Sequence, residues 1–479
     1  MKRTILSTLC LAALTCAAQS NAPTLASSYN DFAFDFFHRI EREHYDENLI
    51  LSPLSAQFAL SMLQNGANGR TLSEIQQALH TAGFSLDDVN RYNRALIDQL
   101  QKEPKIADWE REEYAAIGKD PRDNFARVEI ANGIWTNENL PVYPAFFETN
   151  ATYYDASAEA VDFGNPETYA RLDQWAYDHT HGLIPSFGLD PDDPYREMVL
   201  ANALYFEAPW SEPFKGTAVK QNVPFTNADG TVTTSTALSR HSICRYAETE
   251  LFECYRLHYG QYSNSVPNFY MNLYLPKYGD PMTDQVRELT ADEWRKMNAT
   301  YETAEVDFQM PTFAIEDNLN LVDVLRAMGI SDAFESQYAD FSAISPQPLC
   351  VSGAYQKARI EVDENGTAAA ALTVIGFDAA DVGEEPTYRN VTLHFDRPFY
   401  FTIEDGKNIL FMGHITDLAE LERRAGQQEG IDTVLATRPT SQRTYDLSGR
   451  LCPEAIEGER PTANGQRRIT IQGGRKTIR

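Results

Sequence analysis

The sequence predicts an α+β fold with substantial antiparallel sheet. Three observations carry this: apolar residues recur at helical spacing early in the chain, alternate with polar ones late in it, and form no internal repeat. At 479 residues the chain can bury a large core, and 43% hydrophobic with 23% charged residues is a globular composition. The formal net charge of -28 argues against a nucleic-acid backbone or an anionic membrane as partner and favours basic partners.

Met1 to Ala18 carries Lys2 and Arg3 before an apolar stretch, Ile5 to Leu14, too short to span a bilayer. It reads as a signal peptide cleaved after Ala18, with a lipid-modified Cys16 as the alternative route to surface anchoring. No later segment reads as a membrane span. Phe32, Phe36, Phe37 and Ile40 then recur at helical spacing. Asn48 to Leu51 reads as a short buried strand stopped by Ser52-Pro53, with a helix after it through Phe58, Leu60, Met62 and Leu63. Gly66 to Arg70 breaks that helix, and Thr71 with Glu74 forms a capping-box pattern for a helix from Leu72 to His80.

Asp87 to Gln101 reads as another amphipathic helix, and Lys102 to Asn124, charged and holding Pro104 and Pro121, as an exposed insertion. Strands follow at Val128 to Trp135 and Met198 to Phe206, separated by a helix through Tyr169, Leu172, Trp175 and Ala176. Val223 to Leu275 holds several short strands, Val306 to Phe313 alternates, Leu319 to Met328 returns to a helical period, and Val391 to Ile415 supplies the last strands. Four cysteines remain after cleavage. Cys244 and Cys254 flank Glu248-Thr249-Glu250, so they either face each other across a hairpin as a disulfide or lie apart as buried thiols.

The stretch from Arg359 to Asp381 is unusual. It begins as a strand with Ile360 and Val362 on one face, passes Asn365-Gly366 into four alanines, Ala368 to Ala371, and ends in the β-branched run Thr373-Val374-Ile375. Alanines favour helix while the flanking alternation favours strand, so both conformations are open to it. Glu361-x-Asp363-x-Asn365-Gly366 superficially matches a calcium loop, but Leu372 stands where the bidentate Glu is required.

Enzyme chemistry finds no foothold. There is no phosphate loop, paired-cysteine metal spacing, His-Glu-x-x-His or Gly-x-Ser-x-Gly turn. His179 and His181, two residues apart, would point to different faces of a helix, so neither a metal nor a cofactor is expected.

Eight blocks, in order, resemble the serpin family over about Tyr29 to Asp417: Asn48 to Thr71; Ile130 to Trp135; Asn202 to Phe206 with Trp210; Met310 to Phe313; Gly329 with Asp332 to Phe334; Glu364 to Ala371; Arg397 to Phe399; and Leu410 to Gly413. The resemblance implies a fold of three β-sheets and about nine helices with an exposed reactive-centre loop. It implies a monomeric suicide-substrate inhibitor of serine, and also cysteine, proteases that forms a covalent 1:1 complex. Cleavage leaves an acyl-enzyme, and the cut loop inserts as a new strand into the main sheet. The hinge would comprise Glu364, Gly366, Thr367, Ala368, Ala369, Ala370 and Ala371. Ser52, Ser55, Asn202, Trp210 and Gln356 would surround the opening of the sheet. Gln356 replaces a histidine common in the family, and its amide is expected to bond Asn202.

Family spacing from Gly366 places the scissile bond at Ala380-Asp381, which favours an elastase-like protease. The segment to Pro398 is longer than usual, so Phe377, suiting a chymotrypsin-like enzyme, and Asp378 or Asp381, suiting an aspartate-directed one, remain alternative bait residues. The other reading implied is a non-inhibitory serpin-fold binding protein. Residues 421–441 read as a linker. The last segment, residues 442–479, is similar to C-terminal sorting modules of exported Bacteroidota proteins, a small all-β appendage without that role being the alternative. From Arg438 onward nine basic residues face four acidic ones. The tail therefore differs in charge from everything before it.

Overall fold

In a computed structural model of the chain, the described residues are 24–44, 46–191, 196–277, 290–367 and 387–424, with the backbone of four short strands beyond residue 443. The expected signal peptide, the hinge residues Ala368 to Ala371 and the bond Ala380-Asp381 lie outside them. The chain divides into two compact units, Met1–Leu421 and Glu422–Arg479.

In the first unit the early helices form where periodicity placed them. Helix α1 (Leu25–Glu41) is capped by Thr24, whose Oγ1 accepts the Ser27 amide at 3.1 Å, and buries Phe32, Phe36, Phe37 and Ile40. Strand β1 (Leu49–Leu51) is wholly buried and ends at Ser52, which caps α2 (Pro53–Gln64). The latter is buried nearly all round, which makes it the central helix of the unit.

Helix α3 (Gly69–Ala78) starts earlier than the expected capping box. Thr71 does not cap it. Its hydroxyl instead accepts the Asp340 amide, while the Glu74 carboxylate accepts the amides of Ser331 and Asp332. A distant loop takes both polar groups, so a local pattern was overridden by tertiary partners. Helix α4 (Leu86–Leu100) does carry a capping box, Ser85 with Asp88. The insertion after it folds as α5 (Asp108–Ala116), followed by a 3-10 turn over Pro121–Asn124.

The remaining elements, in chain order, are β2 (Arg127–Asn137), α6 (Pro144–Tyr154), β3 (Ser157–Val161), α7 (Pro166–His179), β4 (Met198–Pro209), β5 (Val219–Thr226), β6 (Val232–Glu248), β7 (Phe252–His258), β8 (Tyr270–Pro276), α8 (Ala291–Thr300), β9 (Glu302–Pro311), β10 (Phe313–Asn320), α9 (Val322–Ala327), β11 (Tyr355–Val362), β12 (Gly366–Thr367), β13 (Arg389–His394), β14 (Phe399–Glu404) and β15 (Ile409–Ile415). The helical period from Leu319 was misleading at its start. Leu319 lies in β10 opposite Gln356, because pairing with β11 continues to Asn320.

A six-stranded sheet runs β10-β11-β12-β4-β2-β3. A nine-stranded sheet runs β1-β15-β14-β8-β7-β6-β9-β13 with β5 also on β6. Its two halves share the 17-residue β6, whose residues Ala237 to Tyr246 pair with β9 and whose last four pair with β7. The main core lies between these sheets and α2. A smaller cluster, including Trp135, Val161, Tyr169 and Leu172, seats α7 on the outer face of the six-stranded sheet. Gly413 is required where β1 meets β15, since a Cβ there would lie 2.4 Å from the Leu49 carbonyl oxygen.

Cys244 and Cys254 do not pair. Ala247 stands opposite Cys254, which puts Cys244, three residues earlier, on the other face of the sheet; both thiols are free. Among the described residues no helix is long and apolar enough to cross a membrane. In the second unit, strands β16 (Thr444–Tyr445), β17 (Leu451–Cys452), β18 (Ile469–Gln472) and β19 (Arg475–Ile478) form one antiparallel sheet in the order β17-β16-β18-β19.

His414 on β15 is fully buried. Its Nε2 donates to the Glu47 carbonyl at 2.7 Å, and the Glu41 carboxylate, 3.9 Å from Nδ1, is too far for a hydrogen bond. Burial pushes its pKa down from 6.5 to about 4. Between those values the unfolded chain binds the extra proton, so stability present above pH 6.5 is lost as pH falls through 4, by roughly 3 kcal/mol in total. Denaturant unfolding at pH 7 and pH 4.5 should therefore show a larger acid loss for the native chain than for His414→Gln. Equal losses would contradict this assignment.

Candidate functional site

The opening of the six-stranded sheet gathers most of the residues singled out in the sequence. After β11 the chain turns at Asp363 to Asn365 and returns as β12, where Thr367 pairs with Val362 on one side and with Ala208 on the other. Asp363 makes the turn locally. Its Oδ1 accepts the amides of Asn365 at 2.7 Å and Gly366 at 3.1 Å, the Asx geometry that Asp supports.

Three turn carbonyls would otherwise be orphaned near the core, and β4's continuation captures all of them. Trp210 Nε1 donates to the Asp363 carbonyl at 2.8 Å, the Trp210 amide to that of Asn365 at 2.8 Å, and the Phe214 amide to that of Glu364 at 2.9 Å. Tyr259 stacks on the Trp210 indole with centroids 4.5 Å apart, and its hydroxyl lies 2.5 Å from Thr367 Oγ1. Burial holds the Tyr259 phenol well above its ordinary pKa, so it stays protonated and keeps this bond. Thr367 is completely buried.

Beyond Thr367 the sheet is parted. Among the described residues β11 pairs with β10 and β12, and β4 pairs with β12 and β2, but β4 and β11 do not pair with each other. A cavity of about 200 Å³ occupies the gap. Leu60 and Leu63 of α2 line it from behind, Ala201 and Ala203 from β4, Gln356 from β11, and Ala176 of α7 from in front. Its walls are mostly apolar.

The polar groups around this gap differ from expectation. Gln356 does not reach Asn202. Its Nε2 donates to the Ser52 carbonyl at 2.7 Å and its Oε1 accepts the Ser52 amide at 3.1 Å, tying β11 to the start of α2. Ser52 Oγ donates to the Leu410 carbonyl and accepts the Ser55 amide. With its amide turned to Ser52 through both Nε2 and Oε1, Gln356 makes no bond to Asn202. Asn202 turns the other way, donating from Nδ2 to Asn132 Oδ1 at 2.9 Å, and its own Oδ1 is buried without a partner.

The site thus brings together Glu364, Gly366, Thr367 and Trp210 at the turn, and Ser52, Ser55 and Gln356 at the start of α2, with Asn202 on the opposite wall. Sequence reasoning missed Asp363, Phe214 and Tyr259. Asp363 had a readable signal, an Asp two residues before Asn-Gly. Tyr259 had none, because it lies 108 residues from Thr367. His179 and His181 are separately engaged, His179 Nδ1 with the Trp175 carbonyl and His181 Nε2 with Glu129.

Trp210→Phe should keep the stack and lose the indole bond, leaving the Asp363 carbonyl without its partner at a cost of about 1–3 kcal/mol. Hydrogen exchange should then quicken at residues 363–367 while the β2–β4 ladder keeps its protection. Unchanged exchange at the turn would show that Trp210 does not hold it.

The profile of the family described as "Serpin (serine protease inhibitor)" matches residues 27–418. The chain is 28% identical over 410 residues to plasminogen activator inhibitor 1 of Neovison vison, covering 81% of this chain and 91% of that protein. Among solved structures it is similar to the thermophilic serpin tengpin in the native state, at a TM-score of 0.67 and 26% identity over 82% of this chain and 94% of that one. It is also similar to human thyroxine-binding globulin complexed with its hormone, at a TM-score of 0.65 and 26% identity over 82% of this chain and 98% of that one.

Proposed function

The chain belongs to the serpin family, and from that membership we propose that it is an exported suicide-substrate inhibitor of serine proteases, with an elastase-like enzyme as target. The observation that carries this reading is the hinge: Gly366 and Thr367 stand as a short strand paired between β4 and β11, and a largely apolar cavity lies farther along between those two strands.

The chemistry would run as follows. The protease serine attacks the Ala380 carbonyl, the Ala380-Asp381 bond breaks, and the Asp381 amine leaves with a proton supplied by the protease histidine. Ala380 is then an ester on the serine. Insertion of the freed strand drags the enzyme, distorts its oxyanion site and stalls attack by water.

The register supports a full insertion. Continued from Thr367, which faces Ala208 and Val362, residues 369, 371 and 373 would meet Phe206, Leu204 and Asn202 on β4, and Ile360, Ala358 and Gln356 on β11. Those β11 residues are buried, so Ala369, Ala371 and Thr373 would turn inward. Alanines enter such a slot with no rotamer entropy to lose. Thr373 would bring a hydroxyl level with the partnerless Asn202 Oδ1. Leu372 falls on the outward parity, where its bulk is tolerated. From Thr367 to Ala380 the strand would reach roughly 45 Å at about 3.3 Å per residue.

Export would follow from the segment up to Ala18, with the 442–479 module acting in sorting at the surface. A second reading, a serpin-fold binding protein that inhibits nothing, draws on the similarity to thyroxine-binding globulin.

Incubation with elastase-, chymotrypsin-, trypsin- and aspartate-directed serine proteases should yield an SDS-resistant 1:1 complex with at least one of them and a released peptide beginning at Asp381. Loop cleavage with no complex and undiminished protease activity across the panel would sink the inhibitory reading. Cleaved protein whose melting temperature does not rise would favour the binding reading. Thr367→Arg forces a charge into a fully buried position, at a cost of several kcal/mol, and should turn inhibitor into substrate, with complex yield falling and cleavage continuing. Undiminished complex yield would contradict insertion from this hinge.

A further inference from the structure

Among the described residues four asparagines stand directly before a glycine: Asn65, Asn68, Asn132 and Asn365. In an Asn-Gly pair the backbone nitrogen after the asparagine is shielded by no Cβ, so it can reach the carbon of the preceding side-chain amide. Asn365-Gly366 differs from the other three in its place. It ends the turn between β11 and β12 and immediately precedes Thr367.

One carboxylate holds both reacting groups there. Asp363 Oδ1 accepts the Gly366 amide at 3.1 Å, and Asp363 Oδ2 accepts Asn365 Nδ2 at 3.3 Å. An N–H that donates to a carboxylate is harder to deprotonate, because the bond favours the protonated form. The backbone on either side is also fixed. The Asn365 carbonyl accepts the Trp210 amide at 2.8 Å, the Gly366 carbonyl accepts the Asp363 amide at 3.0 Å, and Gly366 is buried opposite Pro209. Reaction between the two groups must break both bonds to Asp363, so it needs the turn to open.

We propose that Asn365 is a deamidation site controlled by the hinge, protected while Gly366 and Thr367 are paired and reactive when the turn opens. In the open turn the Gly366 nitrogen gives its proton to solvent hydroxide and attacks Asn365 Cγ. The N–Cγ bond forms, the Cγ–Nδ2 bond breaks, and Nδ2 leaves as ammonia with a proton taken from water. A second water then opens the cyclic imide at either carbonyl, giving aspartate or isoaspartate. Both products put a carboxylate where Nδ2 donated, so the hydrogen bond to Asp363 becomes a like-charge contact with Glu364 next in the chain. Isoaspartate also runs the main chain through Cβ, and the added atom moves Thr367 out of register with Val362 and Ala208. Deamidation therefore marks a molecule whose hinge has opened and keeps that hinge from closing again. Only its effect on protease trapping rests on the inhibitory reading.

The test ages the full chain in mildly alkaline buffer and follows aspartate and isoaspartate by peptide mass spectrometry. Asn365 in the native chain should react at least about 10-fold more slowly than in the same chain unfolded in urea. Asp363→Ala should speed the native reaction by about 10-fold or more, and Trp210→Phe should speed it as well, while Asn68, exposed at the start of α3, keeps its rate. In the deamidated fraction, separated by its added negative charge, hydrogen exchange at residues 366 and 367 should quicken. Asn365→Gln, whose longer side chain closes the ring poorly, should age without that change. Equal rates at Asn365 in the native and Asp363→Ala chains, a native rate matching that of the unfolded chain, or unchanged exchange after deamidation would overturn the proposal. None of these measurements uses a protease, so their failure leaves the inhibitory reading standing, and a panel that traps no enzyme leaves this site standing.

Discussion

The opening between β4 and β11, which the described residues leave unpaired beyond Thr367, is the constraint from which the rest of this structure follows. Among the described residues the facing edges of β4 and β11 have no strand partner beyond β12, and an unpaired edge is a template for pairing. The described residues enter it at one end, through β12. Gly366 and Thr367 are zipped in, and the turn before them is held by Trp210, Phe214 and Asp363.

The two walls of the gap are anchored separately. Gln356 ties β11 to the start of α2, while Asn202 ties β4 to Asn132 on β2, whose Nδ2 in turn reaches the Tyr154 carbonyl. Neither amide bridges the opening. Parting or filling the sheet therefore breaks no hydrogen bond between these side chains, and the orphaned Asn202 Oδ1 would gain from a hydroxyl delivered by the incoming strand. In Gln356 this arrangement uses a group that does not titrate, so the connection is indifferent to pH where an imidazole would not be.

Much of the fold was legible before any coordinates. The phenylalanines of α1 and the alternation of β9 are legible because their periodicity is set by burial on one face, and the Ser-Pro start of α2 and the apolar run of β4 by residue type. Errors clustered where a distant partner outbid a local one. Thr71 and Glu74 spell a helix cap but serve the loop at Ser331 to Asp340, and Leu319 fits a helical period but extends a strand because β11 runs alongside. Cys244 and Cys254 flank a real hairpin, yet its register sets them on opposite faces.

Taken alone, the sequence determined the α+β class, the membership in a family, the small side chains of the hinge and the parity that turns Thr367 inward, since each depends on residue type and local order. Only the tertiary structure decided which groups hold the hinge and where Gln356 and Asn202 spend their hydrogen bonds. Those are contacts between residues tens to hundreds of positions apart. Nothing in local composition marks them, because the energy that selects them comes from packing and from satisfying buried backbone groups, and both exist only once the chain has folded.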